Sequence, residues 1–267
     1  MSAPSVTTRP VRRASGERVD DHVAREEPLE IRVEGEPFVV TMRTPGHDLD
    51  LAAGWLFSEG IVEVSDDLQA LAHVGPADVS GGRNTVDAVL AGGVATHRAD
   101  LEGKRRSVYA NSACGVCGSA SIEQLLVTAG PLQTRWQLDE ALLSGLPAEL
   151  RRAQDGFRAT GGLHGAALVG RDGRIQVVRE DVGRHNAVDK LIGWRLRQDR
   201  VPLDDVALLV SSRIGFEIVH KALVARIPQV LALGAASSLA VDLAAATGVA
   251  LVGFLRADGA VRYTDGS

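Results

Sequence analysis

The 267-residue chain contains only two cysteines, Cys114 and Cys117, and this scarcity limits the kinds of site that it can form. A framework of several disulfides is excluded, and a zinc site made only of cysteines cannot be completed within one chain. Both cysteines lie in the segment Asn-Ser-Ala-Cys-Gly-Val-Cys-Gly, which has no large apolar side chain to bury them. The pair therefore points to thiol chemistry rather than to a structural role.

The chain also lacks a long apolar run and a strong net charge. No stretch approaches the roughly 20 apolar residues that cross a bilayer, and the N-terminus has no apolar segment typical of a signal peptide. We therefore expect a cytoplasmic protein. A net charge of −5 gives no general argument for binding nucleic acid or an anionic membrane. In a reducing cytoplasm, a Cys-x-x-Cys pair indicates catalysis, redox chemistry or metal binding rather than a structural disulfide.

In the first half of the chain, the sequence predicts short secondary-structure elements. Residues 1–27 are charged or small, which predicts a flexible arm outside the core. Alternating apolar residues over 28–42 predict a β-hairpin with its turn at 34–37, and 48–59 carries an apolar stripe of helical period. Strands are predicted at 85–90 and 107–110, and a helix at 121–127.

The second half is more regular. A helical region is predicted at 138–160, interrupted at 145–147, followed by a hairpin of strands 166–169 and 174–179. From residue 186, helices alternate with apolar strands as far as residue 255. Such alternation predicts βαβ crossovers and a largely parallel sheet that is covered on both faces.

These patterns predict three portions of the chain. They are the arm (1–27), a portion with the hairpin and helix (28–110), and a portion with the cysteine segment and an α/β core (111–267). The last two portions could also form one continuous domain.

Four kinds of chemistry are compatible with the two cysteines. A thioredoxin-like redox pair usually has an aromatic residue before its first cysteine, where this chain has Asn-Ser-Ala. A zinc site would need two more ligands, from His164 and His185 or from a second subunit. The cysteines could be inert and buried, although flanking glycines rarely build a core. Finally, one of them could carry sulfur as a persulfide. The motif alone leaves these alternatives open.

Several collinear segments resemble the formate dehydrogenase accessory sulfurtransferase family (FdhD/NarQ). They are PLEIRVEGEPFVVTMRTPGHD at 28–48, NSACGVCGSAS at 111–121, TGGLHGAAL at 160–168, EDVGRHNAVDKLIG at 180–193, SSLAVDLA at 237–244 and GFLR at 253–256. The resemblance spans roughly residues 28–264, nearly everything outside the arm. EDVGRHNAVDK together with an upstream CGxCG is a specific combination.

The resemblance implies a sulfurtransferase. It would accept sulfur from a cysteine desulfurase as a cysteine persulfide and pass it to the molybdenum bis(pyranopterin guanine dinucleotide) cofactor destined for formate dehydrogenase. That cofactor would be a bound substrate, and no permanent cofactor or resident metal is expected. The resemblance also implies a homodimer. From the net charge and the lack of a long apolar run, no nucleic-acid or membrane partner is expected.

The resemblance further implies a fold similar to that of cytidine deaminase. With the strand and helix pattern, it predicts a three-layer α/β/α core on a mostly parallel sheet, plus a small N-terminal β-rich part. The zinc chemistry of cytidine deaminase is not expected, because no His/Cys-x-Glu is present and no proline precedes Cys114.

Carried over residue by residue, the resemblance implies that Cys114 bears the persulfide and that Cys117 is an accessory thiol that releases or resolves the sulfur. It places contacts to the cofactor at the end of the last predicted strand, in the run Phe254, Leu255, Arg256, Ala257, Asp258 and Gly259. A guanidinium there, that of Arg256, could hold a phosphate with two parallel hydrogen bonds.

Other candidate contacts follow from the ends of predicted strands. Ser237 and Ser238 open a helix and could bind a diphosphate, or Ser237 could simply cap that helix. Arg213 follows Ser211-Ser212 in the same way, after the strand at 206–210. We predict that the Gly-Arg-His-Asn run at 183–186 contributes to the cofactor site, through Arg184, His185 and Asn186.

Each of these assignments has an alternative in which the residue has only a structural role. His185 and His164 could be hydrogen-bonded structural histidines. Asp181 and Asp189 could orient the basic groups or pair with neighbouring cations on the surface. Around 212–216 and 235–236 the chain departs from the family pattern, which weakens the assignment of the cofactor wall. The alternative function is a non-catalytic chaperone that binds the molybdenum cofactor, with cysteines that bind zinc or a partner.

Overall fold

The computed structural model describes residues 5–76, 83–92 and 130–266. The strands are β1 (Val6–Arg12), β2 (Arg18–Ala24), β3 (Glu27–Val33), β4 (Glu36–Arg43), β5 (Leu68–His73), β6 (Thr85–Leu90), β7 (His164–Gly170), β8 (Ile175–Asp181), β9 (Val206–Val210), β10 (Gln229–Ala232), β11 (Ala250–Arg256) and β12 (Gly259–Asp265). The helices are α1 (Asp48–Ser58), α2 (Glu140–Leu143), α3 (Leu146–Ala153), α4 (Asp155–Thr160), α5 (Arg184–Leu196), α6 (Phe216–Val224) and α7 (Ser238–Thr247). Cys114, Cys117 and the elements predicted at 107–110 and 121–127 lie outside the described residues.

The strands β9, β10 and β11 form a parallel ribbon at the centre of a six-stranded sheet. The helices α6 and α7 connect them, and Val230 of β10 lies opposite Leu208 of β9 and Leu251 of β11. The strands are almost wholly buried, as expected for parallel strands covered on both faces. The alternation of strands and helices predicted over 206–255 is therefore present.

The predicted three-layer, cytidine-deaminase-like core with a mostly parallel sheet is wrong. The six-stranded sheet has the order β12-β11-β10-β9-β7-β8, and β7 pairs antiparallel with both β8 and β9, as β12 does with β11. The described residues form a mixed α/β structure of three sheets in which most pairings are antiparallel. The reason is that the β7–β8 and β11–β12 connections are too short for a crossover helix, so these strands must run antiparallel.

A second sheet, of four strands, lies in the N-terminal part and has the order β4-β3-β6-β5. The predicted hairpin is confirmed as β3 and β4, joined at Glu34 and Gly35 with φ of 55° and 80°. Positive φ at both central residues is the geometry that matches the right-handed twist of the flanking strands. The predicted strand at 85–90 is β6, which pairs parallel with β3.

Most of the segment that was predicted to be a flexible arm forms a two-stranded hairpin. Strands β1 and β2 pair antiparallel in full register from Val6↔Ala24 to Arg12↔Arg18. No residue of either strand is buried, and the hairpin packs against α4. Its strands carry so many charged residues that the apolar alternation typical of a strand is weak, which is why the sequence did not predict them.

The six-stranded sheet buries apolar side chains on both faces. Helices α5, α6 and α7 cover one face and belong to the same apolar cluster as α1 and the four-stranded sheet. On the other face, α2 and α3 place Leu143, Leu146 and Leu150 against Leu209, Leu231 and other apolar residues. None of the helices in the described ranges is long and apolar enough to cross a membrane.

Helices α1 and α5 cross in very close contact. A Cβ atom added to Gly54 of α1 would overlap the carbonyl oxygen of Asp189, and one added to Gly193 of α5 would overlap that of Asp50. Only glycine leaves room for two backbones at this distance. The crossing joins the N-terminal part to the six-stranded sheet.

Two buried ion pairs lie next to the same junction. The Nζ atom of Lys221 in α6 lies 2.7 Å from Oδ1 of Asp189 in α5, and the hydroxyl of Ser58 in α1 donates to the same carboxylate at 2.8 Å. Lys190 of α5 lies 2.7 Å from Asp181 at the end of β8. Asp181 and Asp189 therefore do form ion pairs, but they do so in the interior rather than on the surface.

Candidate functional site

The three parallel strands end at one edge of the sheet, and each continues into a polar or glycine-containing loop. Ser211, Ser212 and Arg213 follow β9, Leu233 and Gly234 follow β10, and β11 ends at Arg256. The carboxyl edge of parallel strands is where ligands bind in open α/β sheets. This edge is therefore the candidate ligand-binding site of the sheet.

A cleft of about 800 Å3 lies at this edge, and it is cationic. Its volume falls within the range of small-molecule sites. The helix α3 forms one wall and the strand ends form the other. No carboxylate lines it among the described residues, whereas the polar and charged lining side chains are His164, Ser211, Ser212 and four arginines, Arg151, Arg184, Arg213 and Arg256.

The guanidinium groups are available for a ligand. Neither Arg184 nor Arg213 makes a side-chain hydrogen bond or an ion pair within the described part of the chain. Arg151 lies over the ring of Phe157, 4.1 Å from its centroid. One nitrogen of Arg256 donates to the carbonyl oxygens of Leu233 and Leu255, at 2.7 and 2.8 Å. These contacts orient two of the guanidiniums without neutralising their charge, so the cleft suits an anion.

His164 adds a neutral ring to this cationic wall. Burial lowers the pKa of His164, and the neighbouring charges of Arg184 and His185 lower it further. Because the ring stays uncharged near neutral pH, it can accept or donate one hydrogen bond to a ligand. The sequence suggested a structural histidine at this position, whereas the structure places it in the cleft.

The structure brings together four of the predicted cofactor-binding residues, Arg184, Arg213, Leu255 and Arg256, in one cleft. Ser237 and Ser238 are not among the residues that line it. The hydroxyl of Ser237 accepts a hydrogen bond from the Ala240 amide at 3.4 Å, the geometry of a helix cap.

The rest of the predicted 254–259 run surrounds the cleft instead of lining it. Phe254 is 46% exposed with φ of 50°, a backbone conformation that is unusual for a bulky residue, and its amide donates to the carbonyl of Gly234. Ala257 and Asp258 form the exposed turn into β12. Gly259 lines a smaller neighbouring cavity of about 370 Å3, which shares Arg256 with the cleft.

His185 and Asn186 do not line the cleft either. The Nε2 atom of His185 lies 3.7 Å from an Oε atom of Glu217, and this imidazole lowers the pKa of the Glu217 carboxyl to about 2. The Asn186 side chain is buried, and its amide donates to the carbonyl of Met42 and to the Asp181 carboxylate. Both residues therefore contact protein groups rather than the open space.

The sequence did not indicate that α3 forms a wall of the cleft. The sequence predicted a helical region here but not its place at the site: Pro147, Ala148 and Arg151 line the cleft, and the adjacent Arg151 and Arg152 are the only residues of this helix whose type suggests anion binding. A helix with two adjacent arginines shows no sign of which one faces a ligand until its packing on the sheet is known. The described residues contain no group of three or more metal-ligating side chains, but the zinc alternative involves the cysteines and stays untested.

Comparisons with known proteins agree on one family. The sequence model of the FdhD/NarQ family matches residues 24–267. The sulfur carrier protein FdhD of Streptomyces avermitilis is 48% identical over 246 residues, which cover 88% of this chain and 84% of that protein. The protein of the same name from Mycobacterium tuberculosis is 45% identical over 271 residues, or 99% and 94% of the two chains.

A solved structure resembles the whole chain. It is a crystal structure of a protein from Desulfotalea psychrophila that is described as a formate dehydrogenase accessory protein. It superposes with a TM-score of 0.73 at 25% sequence identity and covers 97% of this chain and 96% of that one. The mixed α/β arrangement is therefore shared with a protein that is related in sequence.

Proposed function

Because the chain belongs to the FdhD/NarQ family, we propose that it is a sulfur carrier that serves the maturation of formate dehydrogenase. It accepts sulfur from a cysteine desulfurase as a persulfide on Cys114. It then passes the terminal sulfur to a molybdenum bis(pyranopterin guanine dinucleotide) cofactor, which it binds as a substrate. Relatives named as sulfur carriers and a structural neighbour described as a formate dehydrogenase accessory protein support this role.

The observation that carries the proposal is the cationic cleft at the carboxyl edge of the six-stranded sheet. A guanine dinucleotide brings a diphosphate with it, and four guanidinium groups without a lining carboxylate are suited to bind that group. The Ser211 hydroxyl, which accepts from the Gly165 amide and keeps its own proton, and the neutral His164 ring can each donate a hydrogen bond to phosphate. The Ser212 hydroxyl instead donates to the Arg213 carbonyl. In this proposal, the cleft holds the nucleotide end of the cofactor.

The sulfur chemistry needs little acid–base help from the protein. The Cys114 thiolate attacks the terminal sulfur of the desulfurase persulfide, so one S–S bond forms as another breaks and the desulfurase thiolate leaves. The product, a Cys114 persulfide, is the donor to the metal. In the transfer step, the Cys117 thiolate attacks the Cys114 sulfur, a Cys114–Cys117 disulfide forms, and the terminal sulfur leaves as sulfide for the metal of the bound substrate. The protein thereby acts as a sulfurtransferase, and its main contribution is to position donor and acceptor.

The carrier role is tested by loading the purified protein with sulfur. We expect that incubation with a cysteine desulfurase and cysteine adds one sulfur atom to the intact mass, and that a reductant removes it. If no sulfur is gained and zinc is found instead, the cysteines bind metal, and the protein holds the cofactor without transferring sulfur. Homodimer formation stays a prediction, which the mass in solution would test.

The cleft is tested by its affinity for guanosine diphosphate, a probe for half of the cofactor. We expect that Arg213→Ala and Arg256→Ala each raise the dissociation constant at least about tenfold, because each removes a charge-assisted hydrogen bond to phosphate. Calorimetric titration at fixed ionic strength measures this, since anion binding weakens with salt.

A matched pair of variants on α3 distinguishes the cleft from general charge effects. Arg151 and Arg152 are both exposed, but only Arg151 lines the cleft. Arg151→Ala should weaken binding of guanosine diphosphate, and Arg152→Ala, which removes the same charge from the same helix, should leave it unchanged. Equal effects of the two substitutions would contradict the assignment of the cleft.

A further inference from the structure

The carboxylate of Asp181 is fully buried at the end of β8 and accepts four hydrogen bonds. Its Oδ1 atom accepts from the amide of Gly183 at 2.8 Å and from the side chain of Asn186 at 3.0 Å. Its Oδ2 atom accepts from the amide of Thr44 at 3.1 Å and lies 2.7 Å from the Nζ atom of Lys190. Every lone-pair direction of this buried charge is therefore occupied, as a stable buried ion requires.

These bonds join two distant parts of the sequence. Thr44 lies after β4 in the N-terminal part, and its hydroxyl accepts from the amide of Val182 at 3.1 Å. The ammonium of Lys190 donates to the carbonyl oxygen of Thr44 at 2.8 Å and to that of Glu180 at 3.2 Å. Asn186 donates to the carbonyl of Met42 at 2.7 Å. The backbone from residue 180 to residue 186 is thus held against the end of β4.

Arg184 lies in the middle of this segment, and its side chain lines the cleft. Within the described part of the chain, no hydrogen bond or ion pair holds the guanidinium itself. The held backbone therefore fixes where the Arg184 side chain begins, and the charge of the guanidinium also helps to lower the pKa of the Glu217 carboxyl. A long side chain loses less entropy on binding when its backbone is already held in place.

We infer that Thr44, Asp181, Asn186 and Lys190 are positioning residues that direct Arg184 toward the bound anion, although none of them lines the cleft. We call these four residues the Asp181 cluster. The inference rests on the proposed function, because it assumes that the cleft binds the diphosphate. It also gives Asn186, which the sequence suggested as a ligand contact, a different role.

The substitution Thr44→Val tests the inference with little change in shape. It removes the hydroxyl that accepts from Val182 but keeps both backbone bonds of residue 44. We expect the dissociation constant for guanosine diphosphate to rise about fivefold, in line with the loss of one hydrogen bond. Thr44→Ser restores the hydroxyl and should restore the affinity. If valine prevents folding, Thr44→Ala removes the same acceptor and gives the same comparison.

A double-mutant cycle shows whether the effect acts through Arg184. In an Arg184→Ala background, Thr44→Val should cause no further loss of affinity, because the group that it positions is absent. In an Arg256→Ala background, the fivefold loss should persist in full. A merely structural role would lower the affinity equally in both backgrounds.

Ser58→Ala is the stability control, since it removes a buried hydrogen bond to Asp189 away from the cleft. It should lower the melting temperature about as much as Thr44→Val and leave the affinity for guanosine diphosphate unchanged. If Thr44→Val binds like the wild type, or loses affinity equally in the Arg184→Ala background, the inference is overturned and the proposed function stands. If the wild-type protein does not bind guanosine diphosphate, the assignment of the cleft to the cofactor is overturned together with the inference, whereas the sulfur-carrier role is decided by sulfur loading.

Discussion

Replacing Cys114 with alanine is expected to abolish sulfur loading completely. The thiolate of this residue is the proposed acceptor of the desulfurase sulfur, and no other side chain of the chain except Cys117 is a thiol. After incubation with a cysteine desulfurase and cysteine, the intact mass of Cys114→Ala should equal that of the untreated protein. In cells that lack the natural protein, this variant should leave formate dehydrogenase inactive.

Cys117→Ala is the matched control, because it removes a thiol from the same segment. We expect this variant to gain one sulfur atom as the wild type does, and to differ only in the release of that sulfur. Sulfur on the Cys114→Ala protein but none on the Cys117→Ala protein would reverse the two roles. Restoration of formate dehydrogenase activity by Cys114→Ala would contradict the persulfide mechanism as a whole.

The second large effect is expected from Gly54→Ala in α1. Within an isolated helix this change is favourable by about 1 kcal/mol, because alanine has the higher helix propensity. In this fold the new methyl group would overlap backbone atoms of Asp189 and Gly193, which cannot move aside as a flexible side chain can. We expect a loss of more than about 3 kcal/mol in the free energy of unfolding, or no folded protein at all.

Gly145→Ala is the control for this prediction. Gly145 precedes α3 with a negative φ, and a Cβ atom there would have nothing within 4 Å. Its effect on the free energy of unfolding should stay below about 1 kcal/mol. Denaturant unfolding followed by circular dichroism measures both variants. A Gly54→Ala protein as stable as the wild type would mean that α1 and α5 are not in such close contact.

The local elements were largely predictable because their signals are short in range. The β3–β4 hairpin, α1 and the elements from β7 to β11 follow from apolar periodicity and from turn residues. Strand β12 was not predicted, since its residues are mostly exposed and show no clear alternation. The β1–β2 hairpin was missed for the same reason.

The sheet arrangement was predicted wrongly because the alternation of strands and helices extends over only three strands. The β7–β9 pairing joins strands that are separated in the chain by β8 and α5, so no local pattern indicates that it is antiparallel. Strand β12 follows β11 directly, but it was not predicted as a strand, so its antiparallel pairing was not expected either. Local sequence patterns were also insufficient to identify every residue of the site. The family resemblance implied Arg256, and Arg184 and Arg213 were proposed from their places at the ends of predicted elements, whereas Arg151 belongs to the cleft only because α3 packs against the strand ends.

By itself, the sequence determined the family, the pair of thiols and the types of most secondary-structure elements, because each depends on residue identity at short spacing. Only the tertiary structure decided which cations share one cleft and which charges are buried. Asp181 and Lys190 look like surface charges in the sequence, yet they meet in the interior beside Thr44. The physical reason is that burial and charge pairing depend on contacts between residues far apart in the chain, which no local pattern encodes.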